Sequence, residues 1–219
     1  MPTILANELE LTKKYNTICG VDEAGRGPLA GPVVCSAVIF DLAKLVSSTN
    51  EEVAYLIANL NDSKKLSEKK REKLFPLIKK YAKEFSIIAV EPIEIDKLNI
   101  LHATLVGMDR ALDALAEKWE LALIDGNKLP PQHKDKSQYI IKGDATYFSI
   151  AAASVLAKVT RDKIMTDLHL QYPHYNWLKN KGYPTKEHVQ VIAEYGITPY
   201  HRLSFAPCTE LTIPGLINN

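Results

Sequence analysis

Cysteine is scarce in this sequence, and its scarcity excludes chemistry at once. The 219 residues hold three, Cys19, Cys35 and Cys208, with no Cys-x-x-Cys pair. So few, so scattered, they support neither a disulfide framework nor a zinc site. Cys19 and Cys35 lie in apolar runs and read as small buried core residues, which suits a reducing compartment. No apolar run approaches the roughly 20 residues of a membrane span. The opening MPTILANELELTKKY is too acidic and too briefly apolar for a signal peptide. A soluble, cytoplasmic protein with no membrane contact is expected. An excess of one charge is lacking too: 27 Lys and Arg face 26 Asp and Glu, a net +1. Any surface for nucleic acid therefore has to come from local clustering. There is no internal repeat and no low-complexity linker.

What is present is an ordinary globular balance, 46% hydrophobic and 24% charged, with length for one sizeable core. Residues 17–21, 33–40, 85–90, 120–124 and 139–141 are short runs rich in β-branched or apolar residues and are expected as strands. Leu101, Leu105, Met108, Leu112 and Leu115 recur at spacings of four and three, one face of a helix. Ser67 is expected to cap a helix that Pro76 should kink or confine to its first turns. An alanine-rich helix is expected over 150–168, and a last one after Thr185. Strands interleaved with helices give an α/β class. The Pro/Gly/Tyr-rich stretch 172–184 is the plausible boundary, dividing a domain of residues 1–184 from a C-terminal helical segment and tail, 185–219, packed on it.

The acids at the ends of these strands carry most information. Asp22 and Glu23 follow an apolar strand and precede Gly25-Arg26-Gly27-Pro28. Neighbouring strand residues point to opposite faces, so the two converge only if the strand ends there. Plain turn chemistry is the alternative. Asp125 closes a second apolar strand before Gly126, where a hairpin Asp-Gly turn is the bland reading. Asp144 precedes the alanine-rich helix, and an N-cap is its bland reading. Together these hard oxygen donors suit Mg²⁺ or Mn²⁺, and without a metal they would repel one another.

At this point a resemblance becomes specific. Asp22-Glu23-Ala24-Gly25-Arg26-Gly27 with Gly31-Pro32 resembles the signature of the ribonuclease HII family, the type 2 ribonucleases H. The match continues, in the family's order, through Asn61-Asp62-Ser63-Lys64-Lys65-Leu66, Asp125-Gly126-Asn127 and Lys142-Gly143-Asp144. It runs on through residues 151–162, then Gly182-Tyr183-Pro184-Thr185 with His188, and His201-Arg202-Leu203-Ser204-Phe205. The bacterial form fits better than ribonuclease HIII, which has a longer N-terminal extension and a different residue where Arg26 stands. The resemblance implies an RNase H-like fold: a central mixed sheet flanked by helices, with a small C-terminal helical segment. It implies metal ligation by Asp22, Glu23 and Asp125, with Asp144 completing the catalytic set. It implies that Gly25, Arg26, Gly27 and Tyr183 recognise the junction between a ribonucleotide and the next deoxyribonucleotide. The expected activity is hydrolysis of the RNA strand of RNA–DNA hybrids, and cutting 5′ to ribonucleotides embedded in duplex DNA, by a monomer.

Residues 62–80 hold eight Lys or Arg and three acids. A solvated helix face is the usual meaning of such a run, but Ser63, Lys64 and Lys65 are also candidates to hold a backbone phosphate. Lys158 and Arg161 are read either that way or as ion-pair partners of Asp162 or Asp167. His188 and His201 are read as packing or capping residues. The tail 211–217 is open to two readings, a docking segment or a packed terminus. Two rival functions stand beside the leading one: a structure-specific DNA nuclease on the same fold, and a hybrid-binding module without chemistry. Clustered negative charge gives a mere binder of phosphates nothing.

Overall fold

The structure, a computed structural model, describes residues 1–212, so the tail reading lies largely outside the described residues. Five strands form one mixed sheet: β1 Ile18–Ala24, β2 Val33–Ile39, β3 Glu84–Val90, β4 Leu121–Asp125 and β5 Ser137–Ile140, in the order β3-β2-β1-β4-β5. The first three pair antiparallel; β4 lies parallel to β1, and β5 parallel to β4. The helices are α1 Thr3–Leu11, α2 Leu42–Ser47, α3 Glu51–Asn59, α4 Glu68–Tyr81, α5 Pro92–Asp113, α6 Phe148–Gln171, α7 Trp177–Asn180, α8 Lys186–Tyr195 and α9 Cys208–Thr212. The sheet with helices on both faces is the architecture expected.

Alternation along the strands decides what each face holds. Cys19, Val21, Cys35 and Ala37 point to the α5 side, where they pack with Met108, Ala111 and Leu112. Gly20 points to the other side, against α6. A Cβ on Gly20 would run into the backbone of Ser149 and Ile150, so glycine is what lets α6 lie directly on β1. Alanines at 151, 152, 153 and 157, all fully buried, keep that approach close.

Three expectations are corrected. Helix α4 continues through Pro76 to Tyr81, because Pro76 and Glu72 both lie on the exposed face while Leu74 and Ile78 are buried. The carbonyl that Pro76 cannot reach is there open to water, and the buried face carries the helix on. The helix expected from 101 is the second part of a longer one, interrupted at Asn99, whose φ of 64° is not helical. Asn99 Oδ1 caps the new start by accepting from the amides of Leu101 and His102. Strand β1 does not end at Asp22 but pairs with β2 as far as Ala24. The Ser67 and Thr185 caps are present as expected.

Helix α8 and the segment around Cys208 join one cluster with Leu29, Ala30, Met165 and Trp177. The C-terminal stretch is thereby packed against α6 and the loop that follows β1. Among the described residues no helix is long and apolar enough to cross a membrane.

Candidate active site

The acids converge through strand register rather than through a strand break. Strand β1 pairs with β4 only as far as Val21 opposite Ile124. The next residue on each strand is an acid, Asp22 and Asp125. Both fall on the α6 side by alternation, since Val21 and Ile124 lie on the α5 side. Asp125 is no hairpin turn residue, because β4 and β5 are parallel; its Oδ1 accepts from the amide of Gly143 at 2.6 Å. That bond brings in Asp144, which sits in a short 3-10 turn, 143–145, and not at the N-cap of α6, a place held by Tyr147. Asp144 also comes within reach of Asp62, which disfavours its ionised form. Glu23, on the opposite face from Asp22, stays within electrostatic reach of Asp125.

The electrostatics of the group are those of crowded, desolvated carboxylates. Burial holds the Asp22 carboxyl well above the usual carboxylate range, and the charges of Glu23 and Asp125 push it further. Burial also raises Glu23, with Arg26 working against the rise. Burial, then Asp125 and Asp62, lifts Asp144 to about 6. Two cations answer them. Arg26 Nη1 lies 3.5 Å from Glu23 Oε1. Burial disfavours the charge on Lys64, but Asp22, Asp144, Asp125 and Asp62 more than offset this and raise its pKa. No three of the described His, Cys, Asp and Glu side chains are drawn in closely enough to enclose an ion. The donor set is nonetheless all carboxylate oxygen, the hard ligand type, and its mutual repulsion is what a divalent cation relieves.

The remaining expected residues surround this centre. Ser63 is buried, its Oγ 2.7 Å from Ser154 Oγ, while Lys64 beside it is exposed. Ser154 in turn lies near Asp22 and favours its ionised form. The Gly25-Arg26-Gly27 loop reaches Tyr183, since a Cβ on Gly27 would lie 3.6 Å from Tyr183 Cε1. The Tyr183 side of this cleft is open, with the residue 43% exposed. Lys158 pairs with Asp162 at 2.7 Å.

Arg161 corrects both of its readings. It is buried away from solvent, forms no ion pair among the described residues, and donates to the backbone oxygens of Ala30, Pro32 and Lys181. A signal for this was available, because Arg161 falls 11 and 7 residues after Ile150 and Ser154, on their helical face. Ser154, Asp62, His188, His201 and Arg202 had received no role at the site. Only their place inside the motif blocks could have flagged them.

Comparison with known proteins agrees with this geometry. The family model Ribonuclease HII matches residues 19–208. A ribonuclease HII of Magnetococcus marinus is 48% identical over 205 residues, covering 93% of this chain and 91% of that protein. One from the Wolbachia of Brugia malayi is 47% identical and covers 94% and 95%. Among solved structures, the ribonuclease H2 of Pyrococcus horikoshii superposes with a TM-score of 0.72 at 27% identity, over 89% of this chain and 96% of that one. A Bst-RNase HIII solved in complex with Mn²⁺ shares the fold, with a TM-score of 0.68 at 19% identity over 96% of this chain and 73% of that one.

Proposed function

The chain belongs to the ribonuclease HII family, and from that premise we propose how its own residues divide the work. The enzyme is a metal-dependent endoribonuclease that cleaves RNA in RNA–DNA hybrids and at ribonucleotides embedded in DNA. Asp22, Glu23 and Asp125 hold divalent metal, with Asp144 completing the set; Mg²⁺ and Mn²⁺ both suit these oxygens. Bound there, the cation would lower the pKa of an attacking water and offset charge on the scissile phosphate. The observation that carries this reading is the register of β1 on β4, which sets Asp22 beside Asp125 at the end of a paired ladder.

The other residues bind and orient. Asp22 is oriented by the Glu23 amide, with Ser154 favouring its ionised form, and the Asp125 oxygen by the Gly143 amide. Lys64 meets a backbone phosphate, while Ser63 below it fixes the height of that segment through Ser154. Glycines at 25 and 27 let the chain approach the sugar–phosphate, and the 2′-hydroxyl is the feature that marks a ribonucleotide there. The Tyr183 ring, beside Gly27, packs on the following deoxyribose and disfavours a second 2′-hydroxyl. Cutting falls 5′ to the ribonucleotide and leaves 3′-hydroxyl and 5′-phosphate ends. Residues 1–184 carry the chemistry, and the C-terminal segment, from 185 as far as it is described, buttresses the Tyr183 side. The enzyme acts as a cytoplasmic monomer.

The test is a labelled DNA duplex carrying one ribonucleotide, incubated with Mg²⁺, with Mn²⁺ and with chelator. A metal-dependent nick on the 5′ side of that ribonucleotide is expected. A nick elsewhere, or cutting of the hybrid alone, would remove the junction assignment of residues 25–27 and Tyr183.

A further inference from the structure

Behind the loop 25–32 lie two buried guanidinium groups that no acid pairs with directly. Arg161 and Arg202 are 1% and 0% exposed. Among the described residues neither forms an ion pair; burial lowers Arg161 to about 10 and, with repulsion from Arg161, Arg202 to about 9, which the more distant Asp162 and Asp96 offset only in part. A charge taken out of water is normally matched by an opposite one. Here every nitrogen of both groups is spent on backbone carbonyls. Arg202 donates through Nη2 to Gly25 at 2.6 Å, through Nη1 to Arg26 at 3.0 Å, and through Nε and Nη2 to Gly31. Arg161 holds Ala30 and Pro32 on one side and Lys181, two residues before Tyr183, on the other.

The consequence follows from peptide geometry. In a trans peptide the C=O of one residue and the N–H of the next point in opposite directions. The Gly25 and Arg26 carbonyls face inward to Arg202, so the N–H groups of Arg26 and Gly27 face outward. Neither of those amides enters a described backbone hydrogen bond, whereas Leu29 and Gly31 donate to Gly182 and Tyr200. Gly25 permits the arrangement: its φ is +97°, and a Cβ there would collide with the Arg161 side chain. Two successive outward amides, backed by two unpaired positive charges, form a concave donor site for one oxygen.

We propose that Arg202, with Arg161 behind it, is the positioning residue for ribonucleotide recognition: it turns the Arg26 and Gly27 amides out toward the sugar oxygen that only the ribonucleotide carries. The proposal rests on the loop reading given under the proposed function. The arginines touch no substrate. They act through the loop, and a lysine cannot replace them, because its donors all spring from one nitrogen and cannot span carbonyls that the planar fork reaches from three.

The experiment measures two things on wild type, Arg202→Lys and Arg161→Lys. The first is affinity, with Ca²⁺ in place of Mg²⁺, for a duplex carrying one ribonucleotide and for the same duplex in all-DNA form. The second is hydrogen exchange at the amides of Leu29 and Gly31, against those of β1 and β2. The expected result for Arg202→Lys is loss of the wild-type preference, on the order of 10- to 100-fold in affinity ratio. Its all-DNA affinity should stay unchanged, and exchange should quicken in the loop alone. A general structural defect would lower both affinities and loosen the strands as well. Retained preference with retained protection in Arg202→Lys would overturn the proposal. A wild type without any preference, in which Arg202→Lys still loosens the loop, would instead sink the loop reading and leave the positioning geometry standing. If Arg202→Lys fails to fold, Arg161→Lys is judged by the same two readouts.

Discussion

The backbone oxygen of Tyr183 accepts a hydrogen bond from His188 Nδ1 at 3.0 Å. A carbonyl only accepts, so Nδ1 carries the proton and Nε2 of His188 is an acceptor. Trp177 Nε1 fills that acceptor at 3.0 Å. His201 approaches the same nitrogen at 3.3 Å, and its own Nδ1 accepts from the Thr198 amide at 2.9 Å. The residue proposed to sense the junction thus hangs from a buried chain of neutral rings, a role beyond the packing or capping first read for the two histidines.

His188→Phe should fill the space but leave the Trp177 N–H without its acceptor, while the Tyr183 carbonyl keeps its bond from the Thr185 amide at 2.8 Å. Stranding a buried polar group costs about 1–3 kcal/mol, so a matching fall in unfolding free energy is expected from urea titration. KM for a lone embedded ribonucleotide should rise with it. A variant as stable as wild type would mean that the Trp177 N–H finds another acceptor beside the new ring.

Tyr183→Ala should slow cutting at a lone ribonucleotide about tenfold, in the range of the ~1–3 kcal/mol that aromatic packing on a nucleotide contributes. The Mn²⁺ concentration for half-maximal rate should not move, because Tyr183 stands among the loop residues and not among the acids. Equal losses on the embedded ribonucleotide and on a hybrid with an all-RNA strand would remove the junction role.

Much of this was legible because local pattern and tertiary demand agree. The runs at 33–40 and 85–90 are β-branched and apolar enough to be strands in any context, and they are β2 and β3. The acids were legible as a set through the motif blocks, but not their means of meeting. A strand break at Asp22 was the local solution, whereas the register of β1 on β4 is a long-range one that no window of sequence contains. Pro76 shows the converse: a strong local breaker is overridden when its lost bond faces solvent and Leu74 and Ile78 are buried. Arg161 and Arg202 were illegible for a third reason. A basic residue announces charge in the sequence, and only the fold reveals that its partners are carbonyls.

Asp22→Asn separates activity from stability. The wild-type carboxyl is buried and repelled by Glu23 and Asp125, so neutralising it should leave the metal-free protein as stable or more so. Activity should drop on the order of 10²- to 10³-fold, the usual cost of one pre-set charge at a reaction centre. Melting in chelator and rates in Mg²⁺, measured on one preparation, check both halves. A large loss of stability would show that the acid serves the fold.

The last prediction concerns two buried groups that titrate with opposite sign. Glu8 is buried and accepts from the Ser149 amide at the start of α6, and burial raises its pKa from 4.5 to about 7. The folded state then binds a proton that the unfolded state has released. Its contribution is complete below pH 4.5 and is lost as pH rises through 7. His201 runs the other way: burial, with His188 beside it, lowers its pKa from 6.5 to about 4. There the unfolded state takes the proton first, so stability is complete above 6.5 and is lost as pH falls toward 4. Each shift spans about 2.5 units, a ceiling of ~3 kcal/mol at 1.36 kcal/mol per unit. In the wild type the two slopes oppose each other between pH 4.5 and 6.5. Glu8→Gln removes one of them. Urea titrations at pH 4.5, 5.5, 6.5 and 7.5 should show the variant gaining on wild type as pH rises, and a steeper acid loss below 6.5 in the variant. Parallel curves for the two proteins would mean that Glu8 is ionised in the fold, held so by the amides at the start of α6.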